Sequence, residues 1–92
     1  MHRYIIEREI PAAGSMSPEE LRGAAAKSNA VLAKLGPDVQ WVQSFVANDR
    51  LFCVYLAKDE SLVRKHAALS GFPADRIVEV PRTIDTMTAE AA

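Results

Sequence analysis

The sequence has a single cysteine, Cys53, no run of like charge and no apolar stretch long enough to cross a membrane. One cysteine cannot form an internal disulfide, which agrees with a reducing compartment. The 11 basic and 12 acidic residues give a net charge of −1, without the basic stripe that binds nucleic-acid phosphates. The N-terminal MHRYIIEREI lacks the apolar core of a signal peptide. We therefore expect a cytoplasmic protein with neither a nucleic-acid nor a membrane partner.

The length of 92 residues predicts one domain. The sequence is 49% hydrophobic and 25% charged, which is typical of a globular protein. We expect a single domain over residues 3–81 and a flexible C-terminal tail over residues 82–92. Because a chain this short buries only part of the surface that its unfolded form exposes, association with a second copy would add stability.

Two helices are indicated by their caps. Ser17 and Glu20 have the spacing of a capping box, in which each side chain accepts a hydrogen bond from the other residue's free backbone N–H. Asp59 can cap a second helix over residues 60–70, and Gly71 can end that helix in the left-handed conformation.

Four segments have the β-branched and aromatic content of strands: residues 3–9, 39–47, 51–57 and 75–80. The short linker NDR predicts a hairpin between the second and third. The order strand, helix, strand, strand, helix, strand predicts an α+β ferredoxin-like fold, a four-stranded antiparallel sheet with two helices on one face. The first and third strands are then central and adjacent.

Both faces of the third strand carry apolar or aromatic side chains. Phe52 and Val54 have one parity, and Cys53 and Tyr55 have the other. The helices cover one face of such a sheet, so an apolar second face indicates another contact. We therefore expect a homodimer through the helix-free face.

Glu7, Cys53 and His66 are candidate metal ligands. A carboxylate, a thiolate and an imidazole together suit a divalent transition metal such as nickel or zinc. The Glu7 carboxylate approaches the Cys53 thiol only if the two central strands pair so that both side chains lie on the same face of the sheet. No spacing matches a recognised metal motif, so structural roles for all three residues remain open.

His66 falls on the apolar stripe of the second predicted helix. A buried imidazole must be hydrogen-bonded or it costs stability, and Tyr4, Ser44 or a carboxylate are possible partners. The helical period predicts that His66 points toward the sheet and takes part in a functional site. Glu7 is the carboxylate expected to share that site, provided that Glu7 faces the helices.

Trp41, Ser44 and Tyr55 are candidate ligand-binding residues. Tryptophan and tyrosine combine an apolar ring with one polar atom, which suits a pocket wall and equally a core or an interface. The sequence has no glycine-rich phosphate loop, G-x-S-x-G elbow or paired C-x-x-C motif. These residues favour no particular reaction, and whether the protein is an enzyme stays open.

The chain resembles a family of small bacterial proteins of unknown function in five stretches: YIIEREIP, SPEEL, WVQSFV, CVYLAKDE and VRKHAALSGFPADRIVEV. The resemblance covers nearly all of residues 3–81 and implies a homodimer of ferredoxin-like protomers. Because one member of that family binds nickel, it also implies a small nickel-binding protein, a buffer or a sensor. The alternative is a dimeric α+β barrel enzyme or small-molecule binder with a pocket between sheet and helices.

Overall fold

The computed structural model describes residues 1–90, which contain four strands and two α-helices in the predicted order. Their bounds are β1 His2–Glu9, α1 Pro18–Leu35, β2 Val39–Val46, β3 Arg50–Ala57, α2 Glu60–Ser70 and β4 Arg76–Val80. Two short 3-10 helices, Ala13–Ser15 and Thr86–Glu90, complete the described structure.

The four strands form one antiparallel sheet in the order β2-β3-β1-β4. The first and third strands are therefore central and adjacent, as predicted. Both helices lie on one face of this sheet, and the predicted α+β ferredoxin-like fold is confirmed.

The helix ends have the predicted caps. The Ser17 Oγ accepts from the Glu20 backbone N–H at 3.1 Å, and the Glu20 carboxylate accepts from the Ser17 N–H at 3.1 Å. The Asp59 carboxylate accepts from the Leu62 N–H at 3.3 Å. Gly71 ends α2 with a φ of 75°, where a side chain would introduce strain.

The register between the central strands decides which side chains face the helices. Ile6 lies opposite Cys53, and Glu7 lies opposite Phe52. In β1, Tyr4, Ile6 and Arg8 are buried beneath the helices, whereas the odd-numbered residues lie on the helix-free side, called here the open face. The core under the helices consists of Tyr4, Ile6, Val39, Cys53, Tyr55, Ala57 and Val63.

A β-bulge interrupts β2 between Trp41 and Gln43. The extra residue shifts the side-chain alternation by one position. As a result Trp41 and Ser44, three residues apart, both face the helices, and the indole Nε1–H donates to the Ser44 Oγ at 2.9 Å.

The predicted tail includes the 3-10 helix Thr86–Glu90, which has no buried residue. The last two positions of the tail, 91 and 92, lie outside the described residues. The flexibility of the tail stays a prediction. Among residues 1–90, no helix has both the length and the apolar character needed to cross a membrane.

Candidate functional site

A cavity of about 250 Å³ lies between α1 and the helix-facing side of the sheet. Its walls are mostly apolar and include Leu21, Ala24, Ala25, Trp41, Val46 and Leu51. The helix contributes small side chains here, Ala24, Ala25 and Ser28, which leave space above the strands. The cavity is slightly smaller than the usual ligand-binding pocket of about 300–1,000 Å³.

Arg8 supplies the one charged side chain among the described residues that line this cavity. It is 1% exposed. Its Nη1 donates to the Pro73 carbonyl at 2.6 Å, and its Nη2 donates to the Tyr55 hydroxyl at 3.3 Å. The guanidinium also lies over the Phe72 ring, 5.7 Å from the ring centroid. Within residues 1–90, none of the ion pairs includes Arg8.

The three predicted ligand-binding residues, Trp41, Ser44 and Tyr55, lie together on the cavity wall. The Tyr55 side chain is 2% exposed, and burial raises its pKa, although the nearby Arg8 charge opposes the shift. The hydroxyl is therefore protonated at neutral pH. Because it accepts a hydrogen bond from Arg8, its own hydrogen can be donated elsewhere.

His66 packs directly behind this wall. It is fully buried, its Nε2 lies 3.0 Å from the Ser28 Oγ, and its ring centroid lies 5.1 Å from that of Tyr55. Its Nδ1 is the one buried side-chain nitrogen or oxygen in residues 1–90 without a hydrogen-bond partner. Burial lowers the pKa of the imidazole, the Arg8 charge lowers it further, and a hydrogen bond with the Ser28 backbone opposes both. The imidazole is therefore neutral at pH 7.

The sheet separates the predicted metal ligands. Glu7 lies on the open face, where it forms an ion pair with Arg50. Cys53 and His66 lie on the helix side, and Cys53 lines the cavity. One ion within a protomer cannot contact all three, because adjacent residues of a strand point to opposite faces. His66 and Glu7 therefore do not meet.

An imidazole and a carboxylate lie close together where β1 begins and β4 ends. The His2 Nδ1 is 3.7 Å from the Glu79 Oε2, and the two side chains are 59% and 51% exposed. The Tyr4 hydroxyl donates to the other Glu79 oxygen at 3.5 Å, which orients the carboxylate. In residues 1–90, however, no group of three or more His, Cys, Asp or Glu side chains is arranged to hold a metal ion.

Sequence reasoning missed Arg8, the residue that gives the cavity its charge. Arg8 shares the even parity of Tyr4 and Ile6, which is the more apolar parity of β1, and this signal places it on the buried face. It also missed Ser28 as the partner of His66, although Ser28 lies on the apolar stripe of α1.

The comparisons with known proteins agree with this fold. A family model described as "Nickel responsive protein SCO4226-like" matches residues 4–80. The chain belongs to this SCO4226-like family. The crystal structure of SCO4226 from Streptomyces coelicolor A3(2) is similar, with a TM-score of 0.75 and 19% sequence identity, covering 89% of this chain and 99% of that chain. No curated protein matches the chain.

The two kinds of similarity support different statements about this member of the SCO4226-like family. The family match spans most of the chain and associates it with proteins that respond to nickel. The structural similarity, at 19% identity, shows the shared fold. Neither similarity identifies metal ligands in this chain.

Proposed function

We propose that this protein binds nickel ions and acts as a buffer or a sensor for them. The observation that carries the proposal is the match of residues 4–80 to the nickel-responsive SCO4226-like family. Nickel is bound by imidazole and carboxylate donors, and both kinds of donor are exposed on this chain. The proposal places the protein among metal-binding proteins and assigns it no reaction.

The pair formed by His2 and Glu79 is the proposed point of contact with the ion. Both side chains are more than half exposed, so a hydrated ion can approach them. Tyr4 supports the carboxylate in the way that outer residues commonly orient metal ligands. By contrast, His66 is fully buried and its Nε2 already contacts Ser28, so an ion would have to displace core packing to reach it. Water or a second copy of the chain must supply the remaining ligands.

Substitution of the exposed pair is expected to weaken nickel binding. His2→Ala and Glu79→Gln should each lower the nickel affinity by about tenfold or more, since each removes one of two protein donors. Isothermal titration calorimetry of untagged protein with nickel chloride measures this effect, because a polyhistidine tag would itself bind the ion. Glu7→Gln and His66→Leu are the matched carboxylate and imidazole controls, and both should retain the wild-type affinity.

Three results would contradict this assignment in different ways. Absence of saturable nickel binding by the wild-type protein would remove the proposed function itself. Unchanged affinity in His2→Ala together with a loss in Cys53→Ser or His66→Leu would move the ion to the helix side of the sheet. A loss in Glu7→Gln alone would move it to the open face.

We also propose that a second copy covers the open face. Ile5 and Phe52 are partly exposed at the centre of this face beside the buried Val54, and Phe45 and Val78 lie on the flanking strands. Phe45 is 56% exposed and Val78 is 39% exposed, so the apolar surface extends from one edge strand to the other. Contiguous apolar surface of this kind is typical of an interface.

A charge on the open face is expected to produce monomers. Phe45→Glu should give a monomeric protein at concentrations where the wild type is a dimer, because the carboxylate would be desolvated at the contact. Light scattering at micromolar concentration measures the mass of both. Leu69→Glu is the control, since Leu69 is 54% exposed on α2, away from the open face. A monomeric wild type, or a dimeric Phe45→Glu variant, would contradict the proposal.

A further inference from the structure

Arg8 is a buried cation without a counter-charge. It is 1% exposed, and its two hydrogen-bond acceptors, the Pro73 carbonyl and the Tyr55 hydroxyl, are both uncharged. A guanidinium keeps its positive charge in proteins. Burial of a charge without an opposite one is costly. Arg50 shows the ordinary arrangement in the same chain, because it forms ion pairs with Glu7 and Asp49.

The surroundings of Arg8 are suited to an anion. A guanidinium has five N–H donors, of which the two protein contacts use two. The Tyr55 hydroxyl accepts from Arg8 and so has a hydrogen to donate, and the Ser44 hydroxyl, which accepts from the Trp41 indole, has one as well. Arg8, Ser44 and Tyr55 are all lining residues of the cavity, and no Asp or Glu in residues 1–90 is. The polar groups therefore include spare hydrogen-bond donors and no protein anion.

The rest of the cavity selects for an apolar body on that anion. Leu21, Ala24, Ala25 and Leu51 line it with hydrocarbon, and Trp41 and Phe72 add aromatic surface. A strongly hydrated inorganic anion would lose water here without gaining polar contacts on most sides. A carboxylate suits the planar guanidinium, which can bind both oxygens in parallel.

We propose that this cavity is a binding site for a small organic carboxylate with an apolar body, with the Arg8 guanidinium as the partner of the carboxylate group. The site is separate from the proposed nickel contact, since Arg8 lies toward the opposite end of β1 from His2. At about 250 Å³ the cavity restricts the ligand to a short chain or a single ring.

Hexanoate and hexanamide test the proposal as a matched charged and neutral pair. Trp41 is the chain's one tryptophan and lines the cavity, so its fluorescence reports occupancy during a titration at constant ionic strength. Wild-type protein should bind hexanoate about tenfold or more tightly than hexanamide, the effect expected of a hydrogen bond to a charged group. Arg8→Met, which keeps an apolar side chain of similar length, should lose this preference. Arg50→Met, the same change outside the cavity, should keep it.

Several results would overturn the proposal. One is the absence of a saturable change in Trp41 fluorescence with hexanoate, and another is equal affinity for hexanoate and hexanamide. A third is a preference for hexanoate that survives in folded Arg8→Met. The fourth is inorganic phosphate that binds as tightly as hexanoate. If Arg8→Met does not fold, the wild-type preference and an Arg8→Lys variant decide instead. Lysine keeps the charge but not the planar pair of donors, so the preference should decrease without disappearing.

Discussion

Replacement of Ile6 by alanine is expected to lower the free energy of unfolding by about 2–5 kcal/mol. Ile6 has no exposed surface, and it lies on the central strand β1 between Cys53 of β3 and Ile77 of β4. Truncation removes apolar contacts and leaves a void that the paired strands on both sides cannot close. Urea unfolding followed by tryptophan fluorescence measures the loss.

Ile5→Ala is the matched control for this substitution. Ile5 is the same residue type, one position away on the same strand, but it lies on the open face and is only partly buried. In the monomer, Ile5→Ala should lower the free energy of unfolding clearly less than Ile6→Ala does. If a second copy covers the open face, the cost should increase at protein concentrations that favour the dimer. Equal losses for the two variants at low concentration would contradict the assigned parity of β1.

Ser28→Ala is expected to lower the free energy of unfolding by about 1–3 kcal/mol, the cost of a buried polar group left without its partner. The Ser28 Oγ is 3.0 Å from the His66 Nε2, and the His66 Nδ1 has no partner among the described residues. Removing the hydroxyl therefore takes away the side-chain partner of Nε2 in the core. Ser44→Ala is the control, since Ser44 is partly exposed and bonds to Trp41 instead. A loss no greater than that of Ser44→Ala would contradict the role given to this contact.

The same imidazole should make stability depend on pH. Burial and the facing Arg8 charge lower the pKa of His66 in the folded protein, while Tyr55 and Ser28, which also face the ring, are uncharged at neutral pH. The unfolded chain therefore binds a proton first, at a pKa of about 6.5. Stability is fully present above that pH and decreases as the pH falls below it.

His66→Leu isolates this contribution, since carboxylates also titrate in acid and are common to both proteins. Between pH 7.5 and 5.5 the wild type should lose more stability than His66→Leu, as measured by urea unfolding at each pH. Parallel losses in the two proteins would show that His66 does not titrate differently in the folded and unfolded states.

The proposed carboxylate site depends on two features of the cavity, its space and its charge. Its space arises because α1 presents Ala24, Ala25 and Ser28 to the strands. Its charge arises because Arg8 is on the buried parity of β1. Neither feature alone indicates a site, since small residues in a helix and a charged residue near a strand end are both common. They indicate one only when the fold brings them together.

Local signals in the sequence were sufficient for the architecture. The capping box of Ser17 and Glu20, the Asp59 cap and the Gly71 end each act over a few residues, so they define both helices without reference to the rest of the chain. The order of elements then leaves few topologies, and β1 and β3 are adjacent as predicted.

Only the tertiary structure decided which side chains of each strand face the helices and which lie on the open face. A one-residue change in register moves every side chain of a strand to the other face, and the sequence of β3 is apolar on both parities, so it does not specify the choice. Packing of the helices against Ile6 and Tyr55 places Arg8 in the core and Glu7 on the open face. The bulge in β2 likewise brings Trp41 and Ser44 to one side. The sequence by itself determined the elements and their order, because those depend on local interactions. Which residues line the cavity depended on long-range strand pairing, and only the folded chain specifies that pairing.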